Sequence, residues 1–163
     1  MIPASPLDHI RSWDDARAWR ETIQGRVVFT NGVFDLLHPG HIDVLLGARA
    51  CGDALIVGVN SDDSVRRLKG PERPVRSAAE RAYVLAALAM VDCVTVFSHD
   101  TPLELIQLLQ PDLIVKGGDY DPSTVVGAAE TRARGGDVII IPLTPGHSTT
   151  ATIAKLRSGS SHG

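Results

Sequence analysis

Two histidines, His38 and His41, stand three residues apart around Pro39-Gly40 in the stretch TNGVFDLLHPGHID, Thr30 to Asp43. A β-type run precedes them and a helical pattern follows, so Gly32 permits close backbone approach and the helix start offers free N–H groups. At this spacing the two rings share one face and can present N–H donors to the same oxygen atoms. The chemistry such a group suits is the binding of an anion, phosphate above all. The same residues also fit a plain capping turn with two solvated histidines. A metal site would need further protein ligands, and no third one stands out.

Three other stretches carry polar groups to comparable places. GHSTTATIAKL puts Ser148, Thr149 and Thr150 at the mouth of a last helix, where hydroxyls and free N–H groups converge, although any helix can begin with such residues as an ordinary cap. KGGDYDPS follows a strand with Lys116, Asp119 and Tyr120, and Asp119 can accept from ribose hydroxyls; a simple turn is the alternative. NSDDSVRRLKGPERPVRSAAER is a Gly- and Pro-punctuated, mostly basic stretch, long enough for a lid. Its Arg66, Arg67, Arg73 and Arg76 equally suit a solvated surface. Neither GxGxxG nor GxxxxGK[ST] occurs, which removes the dinucleotide and P-loop phosphate cradles.

The elements that must position these groups can be read from the apolar runs. RVVFTNG, DALIVGVN, CVTVF, DLIVKGG and DVIIIPL each have the length and composition of a buried strand. Helical patterns lie between them: HIDVLLGARA, AAERAYVLAALAM with Ser77 and Glu80 spaced as a capping box, and PLELIQLLQ behind Thr101. This alternation predicts an α/β fold, a Rossmann-like doubly wound parallel sheet of about five strands in a single domain, with ligands at the carboxyl ends of the strands. SWDDARAWRETI reads as a helix capped by Ser12 with Trp13, Ala16 and Ile23 on one face, its tryptophans packing. The expected division is a helical lead over 1–25, the main domain over 26–157 and a frayed tail over 158–163.

Composition narrows the setting. A chain of 163 residues with 44% hydrophobic and 21% charged residues can bury an ordinary core. A net charge of −3 argues against a general nucleic-acid or membrane-surface binder, so any phosphate site is local. Cys51 and Cys93 form no CxxC and suggest a reducing cytoplasm. The start MIPASPLDHI lacks the pattern of a signal peptide, and no apolar run reaches the roughly 20 residues of a membrane span.

His38-Pro39-Gly40-His41 behind GVFDLL resembles the HxGH signature of the nucleotidyltransferase superfamily, whose members pass a nucleoside monophosphate from a triphosphate to a phosphorylated acceptor. GHSTT is similar to that family's second phosphate loop. With VNSDDSVRRLKGPERPV, VDCVTVF and LIVKGGDY, the resemblance extends over about residues 26 to 156. It is nearest the branch that adenylylates heptose 1-phosphate to ADP-heptose for lipopolysaccharide or other surface glycans, in its stand-alone form. The resemblance implies separate kinase and phosphatase proteins, a homo-oligomer, and ATP bound with Mg²⁺.

It also implies residue roles. His38, His41 and Lys69 would act on the reacting phosphates, the first loop and histidines holding the α-phosphate. Thr149 and Thr150 would hold the departing β,γ-phosphates. The nucleotide would lie against Asn31, Gly32, Val33, Phe34, Gly40, Lys116, Gly117, Asp119 and Ser148, with Asp35, Asp62 and Arg81 toward the acceptor or its phosphate. A cytidylyltransferase acting on glycerol 3-phosphate or a similar small alcohol phosphate is the alternative, but that branch carries an arginine where this chain reads Ala89-Met90-Val91-Asp92. An ATP-sensing module and an aminoacyl-tRNA synthetase fragment are further rivals, the latter lacking any KMSKS-like stretch.

Overall fold

Five Val- and Ile-rich runs form the strands of one parallel sheet: β1 (Val27–Gly32), β2 (Ala54–Asn60), β3 (Cys93–Phe97), β4 (Leu113–Gly117) and β5 (Asp137–Ile141). In this computed structural model, which describes residues 4–159, they lie in the order β3-β2-β1-β4-β5. Val27 pairs with Ala54 and Gly32 with Val59, while Val28 pairs with Leu113 on the other side of β1. The strand order reverses between β1 and β4, and a crevice opens there at the carboxyl ends.

The helices are α1 (Trp13–Thr22), α2 (Pro39–Ala50), α3 (Asp62–Lys69), α4 (Ala78–Ala86), α5 (Leu103–Leu109), α6 (Ala128–Ala133) and α7 (Thr149–Gly159). Successive strand residues point to opposite faces, so two cores form. Val27, Phe29 and Ile56 meet Ala16 of α1 and Leu105, Ile106 and Leu109 of α5. Val28, Leu55 and Val57 meet Leu45 and Ala48 of α2 and Leu85 of α4. Each such fully buried aliphatic side chain stabilises the fold by about 1.5–3 kcal/mol relative to exposure.

The anticipated strands and the parallel, doubly wound arrangement are all present. Ser12 caps α1, and Ser77 with Glu80 forms the capping box of α4. Other expectations need correction. The basic stretch after β2 is not a long loop: Ser61 caps α3, Asp62 and Asp63 occupy its first turn, and Arg66, Arg67 and Lys69 its last, which complements the helix dipole. Ser64 and Val65 are buried, so part of the stretch belongs to the core.

Helix α4 stops at Ala86, four residues before Met90, because tight turns through Ala87, Leu88 and Val91 swing the chain into β3. Thr101 does not cap α5, whose cap position is Pro102. Helix α6 was not anticipated; it is short and opens on Gly127 in a left-handed conformation. Ser158 and Gly159, read as tail, complete α7, and residues 160–163 of that tail lie outside the described residues. The apolar face of α1 is consumed within the chain, since Trp13, Trp19 and Ile23 pack on the first core and the Trp13 indole donates to Val96 O at 2.8 Å.

Candidate active site

The turn from β1 into α2 is strained. Phe34 and Leu36 have φ of 51° and 52°, a left-handed conformation that bulky side chains rarely adopt, at about 1–3 kcal/mol each. Several bonds hold it. Arg81, its side chain 1% exposed, donates to Val33 O at 2.7 Å, to Arg76 O at 3.0 Å and to Asp62 Oδ1 at 2.8 Å. The buried Asp35 carboxylate accepts from Arg73 Nε at 3.0 Å and from the N–H groups of Val75 and Arg76 at 2.8 and 3.1 Å. Thr149 Oγ1 donates to Asp35 O at 2.8 Å, so α7 ties to the same turn. Burial pushes the Asp35 carboxyl up, but the Val75 and Arg76 N–H groups and the Arg73 guanidinium outweigh it and hold its pKa below the ordinary value.

Because the turn ends where α2 begins, it fixes the two histidines. His38 is the cap residue, Pro39 occupies the first helical position and His41 the third. The His38 backbone N–H donates to His41 Nδ1 at 3.3 Å, which makes Nδ1 an acceptor and leaves Nε2 to carry the hydrogen of the neutral ring. The rings stack at 3.8 Å between centroids, 22° apart. Burial, then the neighbouring His38, lowers the His41 pKa to about 4. Burial, then His147, also lowers that of His38. Both rings are therefore neutral N–H donors near pH 7. Gly40 makes room for them: a Cβ there would lie 3.0 Å from His38 Cε1.

A cleft of about 560 Å³ opens over this pair, lined by the ends of β1 and β4, Lys69 of α3 and the start of α7. It gathers most of the expected nucleotide residues: Asn31, Gly32, Val33, Phe34, Gly40, Lys116, Gly117, Ser148, Thr149 and Thr150. Lys116 Nζ crosses the switch point to donate to Asn31 O and Oδ1 at 3.1 and 3.0 Å, and burial lowers its pKa to about 8. Lys69 ends α3, exposed at the rim before Gly70, whose φ of 101° suits glycine.

Asp119 is exposed and lies outside the cleft lining, although its neighbour Tyr120 lines it. Ser148 Oγ accepts from the Ala151 N–H at 3.3 Å, the ordinary cap geometry. Asp35 lines the cleft, and Asp35, Asp62 and Arg81 also brace the turn. Each is held by protein groups: Asp62 Oδ1 also accepts from the Ala78 N–H at 2.8 Å. Two residues escaped the sequence reading. Arg73, a candidate surface charge by sequence, is the half-buried partner of Asp35. His147, in GHSTT, lies parallel to His38 at 6.0 Å; a histidine directly before the hydroxyl run was the available signal.

Residues 29–155 match the sequence profile of the cytidylyltransferase-like family. The chain belongs to this family. Within it, the chain is 57% identical over 143 residues to the bifunctional protein HldE of Acidiphilium cryptum, covering 88% of this chain and 29% of that protein. The HldE protein of Mesorhizobium japonicum is 57% identical over 144 residues, with the same coverage. The chain thus spans under a third of the length of these curated relatives. Among solved structures, a lipopolysaccharide core biosynthesis protein from Thermoplasma volcanium superposes with a TM-score of 0.60 at 27% identity, over 74% of this chain and 97% of that one. Pantoate-beta-alanine ligase from Francisella tularensis, at 15% identity and a TM-score of 0.56 over 83% of this chain and 68% of that one, shares the fold. The HxGH turn and GHSTT both fall inside the matched family region.

Proposed function

We propose that this cytidylyltransferase-like chain is a nucleotidyltransferase that moves AMP from ATP to D-glycero-β-D-manno-heptose 1-phosphate, giving ADP-heptose and pyrophosphate. The observation that carries the chemistry is the stacked His38–His41 pair, both neutral, with Nε2 of His41 as its hydrogen-bearing nitrogen. An acceptor phosphate with a second pKa near 6 is largely dianionic at neutral pH and needs no general base. What the reaction needs is alignment and stabilisation of charge.

An acceptor oxygen attacks the α-phosphorus in line. The bond from that phosphorus to the bridging oxygen breaks, and the electron pair leaves on pyrophosphate. His38 and His41 donate to the α-phosphate oxygens, Lys69 reaches the reacting phosphates, and Lys116 fixes the end of β1 beside them. Thr149 and Thr150 face the departing phosphates. ATP enters as its Mg²⁺ complex, the metal carried with the substrate. Among the described residues no group of three or more His, Cys, Asp or Glu could hold a metal ion.

The acceptor is supported by identity to the HldE proteins and by the likeness to a protein named for lipopolysaccharide core biosynthesis. Heptose 1-phosphate is supplied by kinase and phosphatase steps at other sites. No helix among the described residues is long and apolar enough to cross a membrane; a cytoplasmic reaction belongs to the same proposal. A homo-oligomer belongs to the same reading, with the exposed strip of Leu7, Tyr83 and Val84 as its surface. Incubating the protein with MgATP and heptose 1-phosphate tests the activity: ADP-heptose and pyrophosphate should appear in equal amounts. Formation of ADP and phosphate instead would refute it.

A further inference from the structure

The cleft holds a third imidazole. His147 comes from the loop before α7, turned by Gly146 at φ 84°, and its ring lies 17° from the plane of His38 at 6.0 Å between centroids. His38 also stacks on His41 at 3.8 Å, so three imidazoles meet in the lining of the cleft. Gly40 packs beneath both rings: a Cβ there would be tight against His38 Cε1 at 3.0 Å and in ordinary contact with the Cβ of His147 at 3.4 Å. His147 is exposed, lines the cleft, and stands next to Ser148 and Thr149 at the start of α7. Thr149 in turn ties this loop to the β1–α2 turn through Asp35 O.

From this geometry we infer that His147 is a phosphate-contacting residue, which donates an N–H bond to the β,γ-diphosphate as it departs. The inference rests on the adenylyl-transfer reading of the cleft and adds an imidazole to the leaving-group side, beside Thr149 and Thr150. The bond that forms joins an acceptor oxygen to the α-phosphorus. The bond that breaks leaves its electron pair on the bridging oxygen, which stays with the diphosphate. His147 stabilises that charge by hydrogen bonding and transfers no proton. Phosphate oxygens suit it because a third N–H donor, from the α7 loop, continues the His38–His41 row toward the departing phosphates.

Three variants separate a donor from a packing ring. His147→Phe keeps the flat ring without N–H groups, His147→Gln keeps a donor without the ring, and His147→Ala removes both. Calorimetric titration of the full chain with magnesium pyrophosphate, without sugar phosphate, should show about 10- to 100-fold weaker binding for Phe and Ala, the scale of one hydrogen bond to a charged group. Gln should recover most of the affinity. In steady state, kcat should fall by a similar factor in Phe and Ala, with a smaller change in KM for the sugar phosphate. Thermal melting of each variant shows that it is folded. Wild-type pyrophosphate binding in Phe, with Gln as weak as Ala, would overturn the inference and leave adenylyl transfer standing. Failure of the wild-type chain itself to bind pyrophosphate or ATP would overturn both.

Discussion

Replacing Asp35 with Asn tests the bracing of the site. The carboxylate is 0% exposed and its partner Arg73 is 12% exposed. Removing one member of a buried ion pair costs about 3–5 kcal/mol, because the other charge is left uncompensated. Asn keeps an acceptor oxygen for either the Val75 N–H, bonded to Oδ2, or the Arg76 N–H, bonded to Oδ1, and Arg73 retains slight contact with water, so the lower end, about 3 kcal/mol, applies. For a chain of this size that corresponds to a fall of roughly 6–12 °C in Tm. The acid limb fixes the sign. The folded pKa lies below the ordinary 3.8, so the stabilisation is present above that pH and is lost as pH falls through the folded value. The difference between wild type and Asp35→Asn should therefore shrink only below about pH 4. Trypsin should also cut faster after Lys69 and Arg76, since segment 73–76 loses its anchor. Differential scanning calorimetry with timed proteolysis reads both effects. A Tm within about 2 °C of wild type, with unchanged cleavage, would refute the reasoning.

Other expectations concern the histidine wall and its neighbours. His41→Ala and His38→Ala should each lower kcat by roughly two to three orders of magnitude with a much smaller change in ATP binding, and the double variant should fall short of the product of the two; steady-state and equilibrium binding measurements decide. Gly40→Ala should displace the His38 ring and reduce kcat by about 100-fold, with Tm near wild type, read by kinetics and melting. Because burial holds Lys116 at a pKa of about 8, it is charged below that pH and loses its charge above it. KM for ATP should rise as pH passes upward through about 8, and Lys116→Met should abolish that step.

The sheet was legible because all five strands run parallel and are covered on both faces, so each appears as an unbroken apolar run such as ALIVGVN, buried throughout as β2. The HxGH turn was legible because its chemistry is local: cap, proline, glycine and two rings lie within four residues. Helix α3 was not, since DDSVRRLK has only Val65 and Leu68 as apolar residues and its order comes from the Ser61 cap and from the bonds of Arg67 to Asp100 and Ser98 O. The bracing bonds of Asp35, Asp62 and Arg81 are not legible in the sequence, because their partners lie up to 48 residues away in the chain, as between Arg81 and Val33 O, and no periodicity reports such pairings. His147 was passed over for the hydroxyls that follow it, although its ring meets the histidine pair through a contact that only the folded chain creates.

The central claim is that this cleft joins AMP to a heptose phosphate. A comparison of kcat/KM tests it most directly: pyrophosphate release is followed with ATP and heptose 1-phosphate and, separately, with CTP and glycerol 3-phosphate. A site that hydrogen-bonds several ring hydroxyls leaves polar groups unpaired around a three-carbon acceptor, a mismatch that can cost on the order of 10⁴ in kcat/KM. The account predicts that the ATP–heptose pair wins by a factor approaching that. A higher kcat/KM for CTP with glycerol 3-phosphate would contradict it.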